Sequence, residues 1–518
     1  VRLTLVPDQH KSAQEKQAEV ERLQQLTAQL SDDDKQRIQQ QTEALNIRQN
    51  TPDDLDVLPK VGLEDVPAEL LIQQGQLREI LVNGTDTPLN LYHSGTNGLY
   101  YQQVLIKLSA DIVQSPYFSI LPILMGEVGA GDYDYLQLQQ LQTAHTGGVG
   151  MGVSLRSHLK DKQHISAWLT LTTKSLTSRL DAIQLLKTAF EHLRFDEKSR
   201  ILELLQQRKN RWQARLSGAG HQYAMQIASR QHSALAQRDY DNTGLPAFLW
   251  LRDTLAKIEH DDAAYQQFIA QVQAVYQRIL TAPKQFLLVC EEQHSERLLD
   301  EIQNVWYRQN TVMNPSPLAT VARETSSAHQ AWLIQADVQF CAMAFPAVEV
   351  SHPDAVALMV LSGYLRNGFL HSAIREKGGA YGGGASYDGN ACSFRFYSYR
   401  DPRLSETFAD FERAIDWLLN QEQHAYQLEE AILGLIASMD KPGSPAGEAI
   451  TACYALLHER TPKFRQAMRE QILRVTLDDL RRVAQIYLRP ELASKAVVAP
   501  FHQAETLKQL GFEIYQID

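Results

Sequence analysis

Apolar residues recur along this chain with two different periods, and the changes between them mark out its elements. Residues 8–48 contain no Gly or Pro and are rich in Gln, Glu, Lys and Leu. Val20, Leu23, Leu26 and Leu30, and later Ile38 and Leu45, fall at helical spacing. Ser31, followed by Asp32-Asp33-Asp34, interrupts this run with an N-cap and acids suited to a first turn, so the segment reads as a helical hairpin. Its apolar stripe is narrow, which suits a helix pair laid across other domains rather than one forming a core. Ahead of it, Val1-Arg2-Leu3-Thr4-Leu5-Val6-Pro7 alternates like a strand with nothing nearby to pair with. We therefore expect residues 1–7 to be the last strand of an upstream domain and the chain to be the C-terminal part of a longer polypeptide. The turn-rich stretch 50–68 reads as a linker, completing a connector over residues 8–68.

From about residue 76 the pattern occurs twice. Leu124-Met125-Gly126 and His145-Thr146-Gly147-Gly148-Val149-Gly150 in the first copy match Leu361-Ser362-Gly363 and Lys377-Gly378-Gly379-Ala380-Tyr381-Gly382 in the second. An alternating strand follows each glycine cluster: Ile165, Ala167, Leu169 and Leu171 share one face, as do Cys392, Phe394 and Phe396. A helical stripe follows each strand, Leu180, Ile183, Leu186 and Phe190 in one copy and Leu404, Phe408, Phe411, Ile415 and Leu418 in the other. More helix is expected at about 196–230 and 426–440, and each copy closes on a short apolar strand, Phe286-Leu287-Leu288-Val289 or Ala496-Val497-Val498. Strand hairpins alternating with runs of helices predict an α+β fold. It comprises two homologous sandwich domains, residues 69–310 and 328–518, each an antiparallel-rich sheet with helices on one face. Asn314-Pro315-Ser316-Pro317 to Ser327 should join them. No regular βαβ alternation supports a doubly wound parallel sheet.

Composition narrows the function classes. A length of 518 residues requires more than one core, and 44% hydrophobic content can fill them. The net charge of −11 argues against a nucleic-acid surface and favours peptides or basic ligands as partners. No apolar run is long enough to span a membrane. Cys290, Cys341, Cys392 and Cys453 are far apart without a CxxC pair, and the first three sit in apolar strand-like segments. They read as reduced core thiols, which suits a reducing, cytoplasmic compartment.

The densest chemical signal is Arg375-Glu376-Lys377-Gly378-Gly379-Ala380-Tyr381-Gly382-Gly383-Gly384, with five glycines in seven positions. Glycine leaves no side chain to pack, so such a cluster marks either turns with positive φ or backbone that another chain must approach closely. A contact surface and a plain Gly-rich hairpin turn are both open on these residues alone. No Walker-type loop occurs, and Gly379-x-x-Gly382 lacks the strand-to-helix setting of a dinucleotide fingerprint. Neither His-Glu-x-x-His nor His-x-x-Glu-His occurs among the sixteen histidines; His221, His232 and His371 read as surface or capping residues. Gly-x-Ser-x-Gly is absent too. No cofactor or metal is expected on this chain, and no complete catalytic apparatus is visible in it.

Ile374-Arg375-Glu376-Lys377-Gly378-Gly379-Ala380-Tyr381-Gly382-Gly383-Gly384-Ala385, followed by Phe396-Tyr397-Ser398-Tyr399-Arg400-Asp401-Pro402, resembles the last domain of the presequence protease branch of the pitrilysin/insulinase metalloproteases. Met125-Gly126-Glu127-Val128-Gly129-Ala130-Gly131-Asp132-Tyr133-Asp134-Tyr135, with His145-Thr146-Gly147-Gly148, is similar to that branch's third domain. The Gly-free hairpin is similar to the connector between the family's halves, so the resemblance covers essentially the whole chain. It implies a four-domain peptidase closed around a chamber, with a zinc site of inverted His-x-x-Glu-His type in its first domain, outside this sequence. It also implies that Arg375 and Tyr381 reach substrate at that zinc, holding its backbone and supporting the oxyanion. The residue types suit this work: a guanidinium gives rigid, permanently charged donors, and a phenol gives one directed hydrogen bond. Gly378, Gly379, Gly382, Gly383 and Gly384 would let an extended peptide come close to the backbone. By this reading the partners are peptides and the N-terminal catalytic half, and the chain alone is inactive. The alternative is a non-catalytic interaction subunit of a related two-subunit peptidase.

Overall fold

A computed structural model describes residues 3–4, 8, 10–51, 57, 60–82, 84–307 and 329–517. By its internal contacts the chain divides into two units, residues 1–64 and 65–518. In the first unit, helices Lys11–Gln29 and Asp32–Asn50 form the expected pair. The Ser31 hydroxyl accepts from the Asp34 N–H while the Asp34 carboxylate accepts from the Ser31 N–H, a reciprocal cap that starts the second helix. The strand expected at residues 1–7 and the segment 314–327 lie largely or wholly outside the described residues.

In the second unit the described residues form two six-stranded sheets. The first contains β1 (Gln76–Val82), β2 (Thr85–His93), β3 (Leu99–Lys107), β4 (Val149–His158), β5 (Asp161–Leu176) and β6 (Lys284–Cys290), in the order β1-β2-β6-β3-β5-β4. The second contains β7 (His329–Ile334), β8 (Phe340–Pro346), β9 (Gly382–Asp388), β10 (Ser393–Tyr399), β11 (Ser494–Pro500) and β12 (Glu513–Gln516), in the order β12-β7-β11-β8-β10-β9. Leaving aside the outermost β1 and β12, the two orders are the same. In both, the closing strand (β6 or β11) pairs parallel with the opening one (β2 or β7) and antiparallel with the next. The outer strands differ: β1 runs antiparallel to β2, and β12 runs parallel to β7. Cys392 falls in the tight turn before β10, with φ of 48°, rather than in the strand.

One face of the first sheet packs on its own repeat's helices through Val104, Ile106, Phe286 and Leu288, together with Ile183, Leu186 and Phe190. The opposite face is covered from the other repeat. Ala446, Ala449, Ala452 and Cys453 of the Pro445–Leu457 helix pack on Leu105, Trp168, Leu287 and Val289. The arrangement is reciprocal: Ala224, Ile227 and Ala228 of the Gly220–Ser229 helix, in the first repeat, pack on Phe340, Ala342, Ala344, Ala496 and Val498 of the second sheet. Strands β6, β8 and β11 are thus buried on both faces, which is why they read as short apolar runs rather than alternating ones. Gly220 permits this approach, because a Cβ there would overlap the Phe340 ring. All four cysteines are free and buried.

The linker stretch is hydrogen-bonded at its far end, and the reading of two histidines needs correction. Arg469 donates to the Pro67 carbonyl at 2.8 Å, Gln466 donates to the Ala68 carbonyl at 3.0 Å, and the Leu70 N–H donates to Gln466 at 2.9 Å. An extended segment leaves its backbone groups unpaired, and the Pro462–Ile472 helix supplies side chains that satisfy them. His221 and His232 are not surface residues, for both lie where the repeats meet: His232 is 3% exposed and His221 is half-buried. His371 is exposed and pairs with Glu376 at 3.5 Å.

Candidate functional site

Arg375 lies in the last turn of a helical stretch, Arg366–Lys377, with π geometry. Such windings are uncommon and recur at functional sites. Gly378 and Gly379 end the stretch. The Gly379 N–H donates to the Arg375 carbonyl at 3.1 Å, and Gly379 has φ of 76°, which favours glycine. Ala380 is buried and ties back to the Ile374 carbonyl, so the chain turns and Tyr381 projects outwards, 66% exposed. The turn brings the Arg375 guanidinium to 5.9 Å from the centre of the Tyr381 ring. The sequence-predicted pair is thus together and exposed.

Tyr381 immediately precedes β9, an edge strand that pairs only with β10 among the described residues. The Tyr399 ring meets Tyr381 edge-on at 5.5 Å. Tyr399 in turn carries the Arg400 guanidinium at 5.5 Å from its centre and the His221 ring at 4.7 Å. Arg400 has φ of 50°, rare for a residue with a side chain, and its carbonyl accepts the Tyr381 N–H at 3.3 Å. Behind this turn the buried Asp401 accepts from Thr407 at 2.7 Å and from the Arg403 N–H at 2.9 Å. Burial pushes its carboxyl up, and the Thr407 bond opposes that. Arg403 reaches Asp410 at 3.0 Å and the Ala373 carbonyl at 3.4 Å, joining the Tyr399–Arg403 turn to the helix that carries Arg375. Burial lowers the imidazole of His221 below its ordinary value, so at neutral pH it is an uncharged ring.

The five glycines separate by cause. A Cβ on Gly378 would overlap Arg403, one on Gly383 would fall 2.6 Å from Ile374 Cγ2, and one on Gly384 would fall 2.9 Å from Arg366 Cγ. These three are required by the protein's own packing. Gly379 is required by its φ, and a Cβ on Gly382 would meet nothing within 4 Å, so only Gly382 opens space for another chain. In the first repeat Gly148 runs directly into β4, without the two residues that place Tyr381 before β9. Sequence reasoning missed Arg400 and Tyr399 as neighbours of the pair, although the period-2 alternation of Phe394, Phe396 and Ser398 against Arg395, Tyr397 and Tyr399 was a signal. It had no means of finding His221, which arrives from the other repeat. Among the described residues no three His, Cys, Asp or Glu side chains come together to hold a metal, and no helix is long and apolar enough to cross a membrane.

Comparison with known proteins adds to this geometry. Residues 5–253 match the family described as associated with the M16 peptidases of subfamily C, and residues 331–499 match the PreP C-terminal domain. The mitochondrial presequence protease of Yarrowia lipolytica is 28% identical over 97% of this chain and 50% of its own length. That of Xenopus laevis is 25% identical over 94% and 49%. The chain therefore spans about half the length of the curated relatives it matches. Among solved structures, a peptidase M16 inactive domain from Pseudomonas fluorescens superposes with a TM-score of 0.56 at 13% identity, covering 82% of this chain and 98% of that one. A conserved protein from Enterococcus faecalis V583 superposes with a TM-score of 0.62, also at 13% identity and with the same two coverages. At these identities the structures speak for the fold alone.

Proposed function

We infer that the chain is the C-terminal half of a peptidase of the presequence-protease branch of the M16 family, a reading supported by both family models and by the presequence proteases it resembles. From that premise we propose that it is the substrate-handling half of a zinc metalloendopeptidase that degrades unstructured peptides within a closed chamber. Presequence proteases are metallopeptidases, and in this reading the N-terminal half would hold the zinc, as the family resemblance implies. The observation that carries the reading is the exposed Arg375–Tyr381 pair, fixed by a left-handed Arg400 at the head of an edge strand. A peptide added along β9 would bond to its open edge. Arg375 and the Tyr381 hydroxyl would then donate to a peptide carbonyl oxygen as negative charge develops there. These donors are useful because they are already in place and do not reorganise when charge appears.

The test is hydrolysis of an unstructured peptide by this chain recombined with its N-terminal half. Arg375→Ala and Tyr381→Phe should each slow turnover by about 10²–10³-fold, the range for losing one preorganised oxyanion donor. Unfolding midpoints should stay unchanged, since both side chains are exposed. Normal turnover in the double variant would overturn the assignment. The alternative reading is a non-catalytic interaction subunit of a related two-subunit peptidase. Failure of the chain to restore hydrolysis to the N-terminal half would select that reading.

A further inference from the structure

We propose that the cavity of about 450 Å³ between the Lys198–Arg215 and Gly220–Ser229 helices binds a small multivalent oxyanion, bearing phosphates or carboxylates. Arg208, Arg211 and Arg215 line it, at i, i+3 and i+7 on one helix face. Among the described residues none of the three has a carboxylate within ion-pair distance, whereas Arg200 on the same helix pairs with both Glu127 and Glu203 at 2.9 Å. Glu127 also lines the cavity, its Oε2 accepting from Arg200 and from Gln139. The three guanidiniums are exposed on one helix face of a chain of net charge −11 and concentrate positive charge there, which an anion could bridge. Desolvation first, and then the Arg211 charge, lower the Arg208 pKa; Tyr223 opposes this and Arg215 adds to it.

The rest of the lining is fixed. The Arg208 guanidinium lies 5.0 Å from the centre of the Trp212 ring, and Trp212 Nε1 donates to the Tyr223 hydroxyl at 2.8 Å. That bond uses Tyr223 as acceptor and leaves its own proton free to donate into the cavity. The cavity is of small-ligand size. The helix rise separates Arg208 from Arg215 by roughly 10 Å, so one monovalent ion cannot satisfy all three cations. A ligand with several oxyanion groups can, and each guanidinium matches phosphate or carboxylate through two parallel bonds. The site lies outside the Arg375–Tyr381 cluster and does not depend on the function proposed for it.

Titration calorimetry on the whole chain, at an ionic strength of ~0.15 M, tests the inference with tripolyphosphate as the phosphate probe and citrate as the carboxylate probe. One equivalent of either should bind. Arg211→Gln and Arg215→Gln should each weaken binding ~10–100-fold, the worth of a charge-assisted bond. Arg211→Lys, which keeps the charge but loses the fork, should weaken it less. Binding of both probes shows that the site reads charge alone, and binding of only one identifies its source chemistry; either outcome supports the site. Absence of saturable heat from both probes would overturn it, as would affinity unchanged in the two Gln variants. Unaltered melting temperatures establish that the variants fold, and the Lys variant carries the test if a Gln variant does not.

Discussion

Acid should loosen the contact between the two repeats, and His458 provides a measurable reason. It follows the Pro445–Leu457 helix of the second repeat and bridges two strands of the first. Its Nε2 lies 2.8 Å from Ser154 Oγ on β4, and its Nδ1 lies 2.8 Å from Ser166 Oγ on β5. Burial, with smaller contributions from Arg156 and Arg460, pushes the imidazole down from 6.5 to about 4. A depressed histidine keeps its full stabilisation above 6.5, where folded and unfolded forms are both neutral. Between 6.5 and about 4 the unfolded chain takes up a proton that the folded one refuses, so stability falls with pH and levels off below about 4. The loss should be about 2 kcal/mol by pH 5 and about 3 kcal/mol at the plateau, at 1.36 kcal/mol per pH unit. His232, pushed down to about 3 by burial and then by Lys162, Arg395 and Arg230, should add another ~2 kcal/mol at pH 5. Urea midpoints followed by tryptophan fluorescence at pH 7 and pH 5 give the difference. His458→Gln keeps one donor and one acceptor but cannot titrate, so it should lose about 2 kcal/mol less than the parent over this range. Equal losses in parent and variant would refute the assignment of acid sensitivity to His458.

Gly220→Ala should destabilise by about 1–3 kcal/mol, because its Cβ meets the Phe340 ring at the crossing between repeats; an unchanged urea midpoint would contradict the close approach. Gly378→Ala should also lower the midpoint, since its Cβ would overlap Arg403 and lie 2.5 Å from the Ile374 carbonyl oxygen. Gly382→Ala, facing open space, should stay within about 0.5 kcal/mol of the parent. If these two variants behaved alike, the division of the glycines by cause would fail. Burial pushes the thiols of Cys290, Cys392 and Cys453 up to about 12 and that of Cys341 further still. Ellman's reagent at pH 8 should therefore find no fast-reacting thiol in the native chain and four after denaturation. One equivalent reacting quickly in the native state would show that a thiol opens to solvent.

Local chemistry was enough to fix a good deal of this protein. The Ser31 cap, the apolar stripe from Leu180 to Phe190 and the closing strands Phe286–Val289 and Ala496–Val498 could all be placed from sequence, because each depends on spacing along the chain. Repetition of that order supplied the two homologous sandwiches without any long-range information. Arg375 and Tyr381 stood out for the same reason, being six residues apart on either side of backbone that only glycine tolerates. What pattern could not reveal depends on which element crosses which. Small residues at Ala224 and Ala449 look the same in a solvent-facing helix and in one laid over the other repeat's sheet, and only the fold shows the exchange. His232 and His458 carry no sequence mark of burial; their depressed pKa values arise from neighbours that the crossing brings together. Only the structure could separate the glycines by cause, since Arg403, Ile374 and Arg366 reach Gly378, Gly383 and Gly384 through folding, while Gly382 is left open. Periodicity along a chain determines elements, whereas contacts between distant segments decide the environment of each group, and with it the chemistry that group can perform.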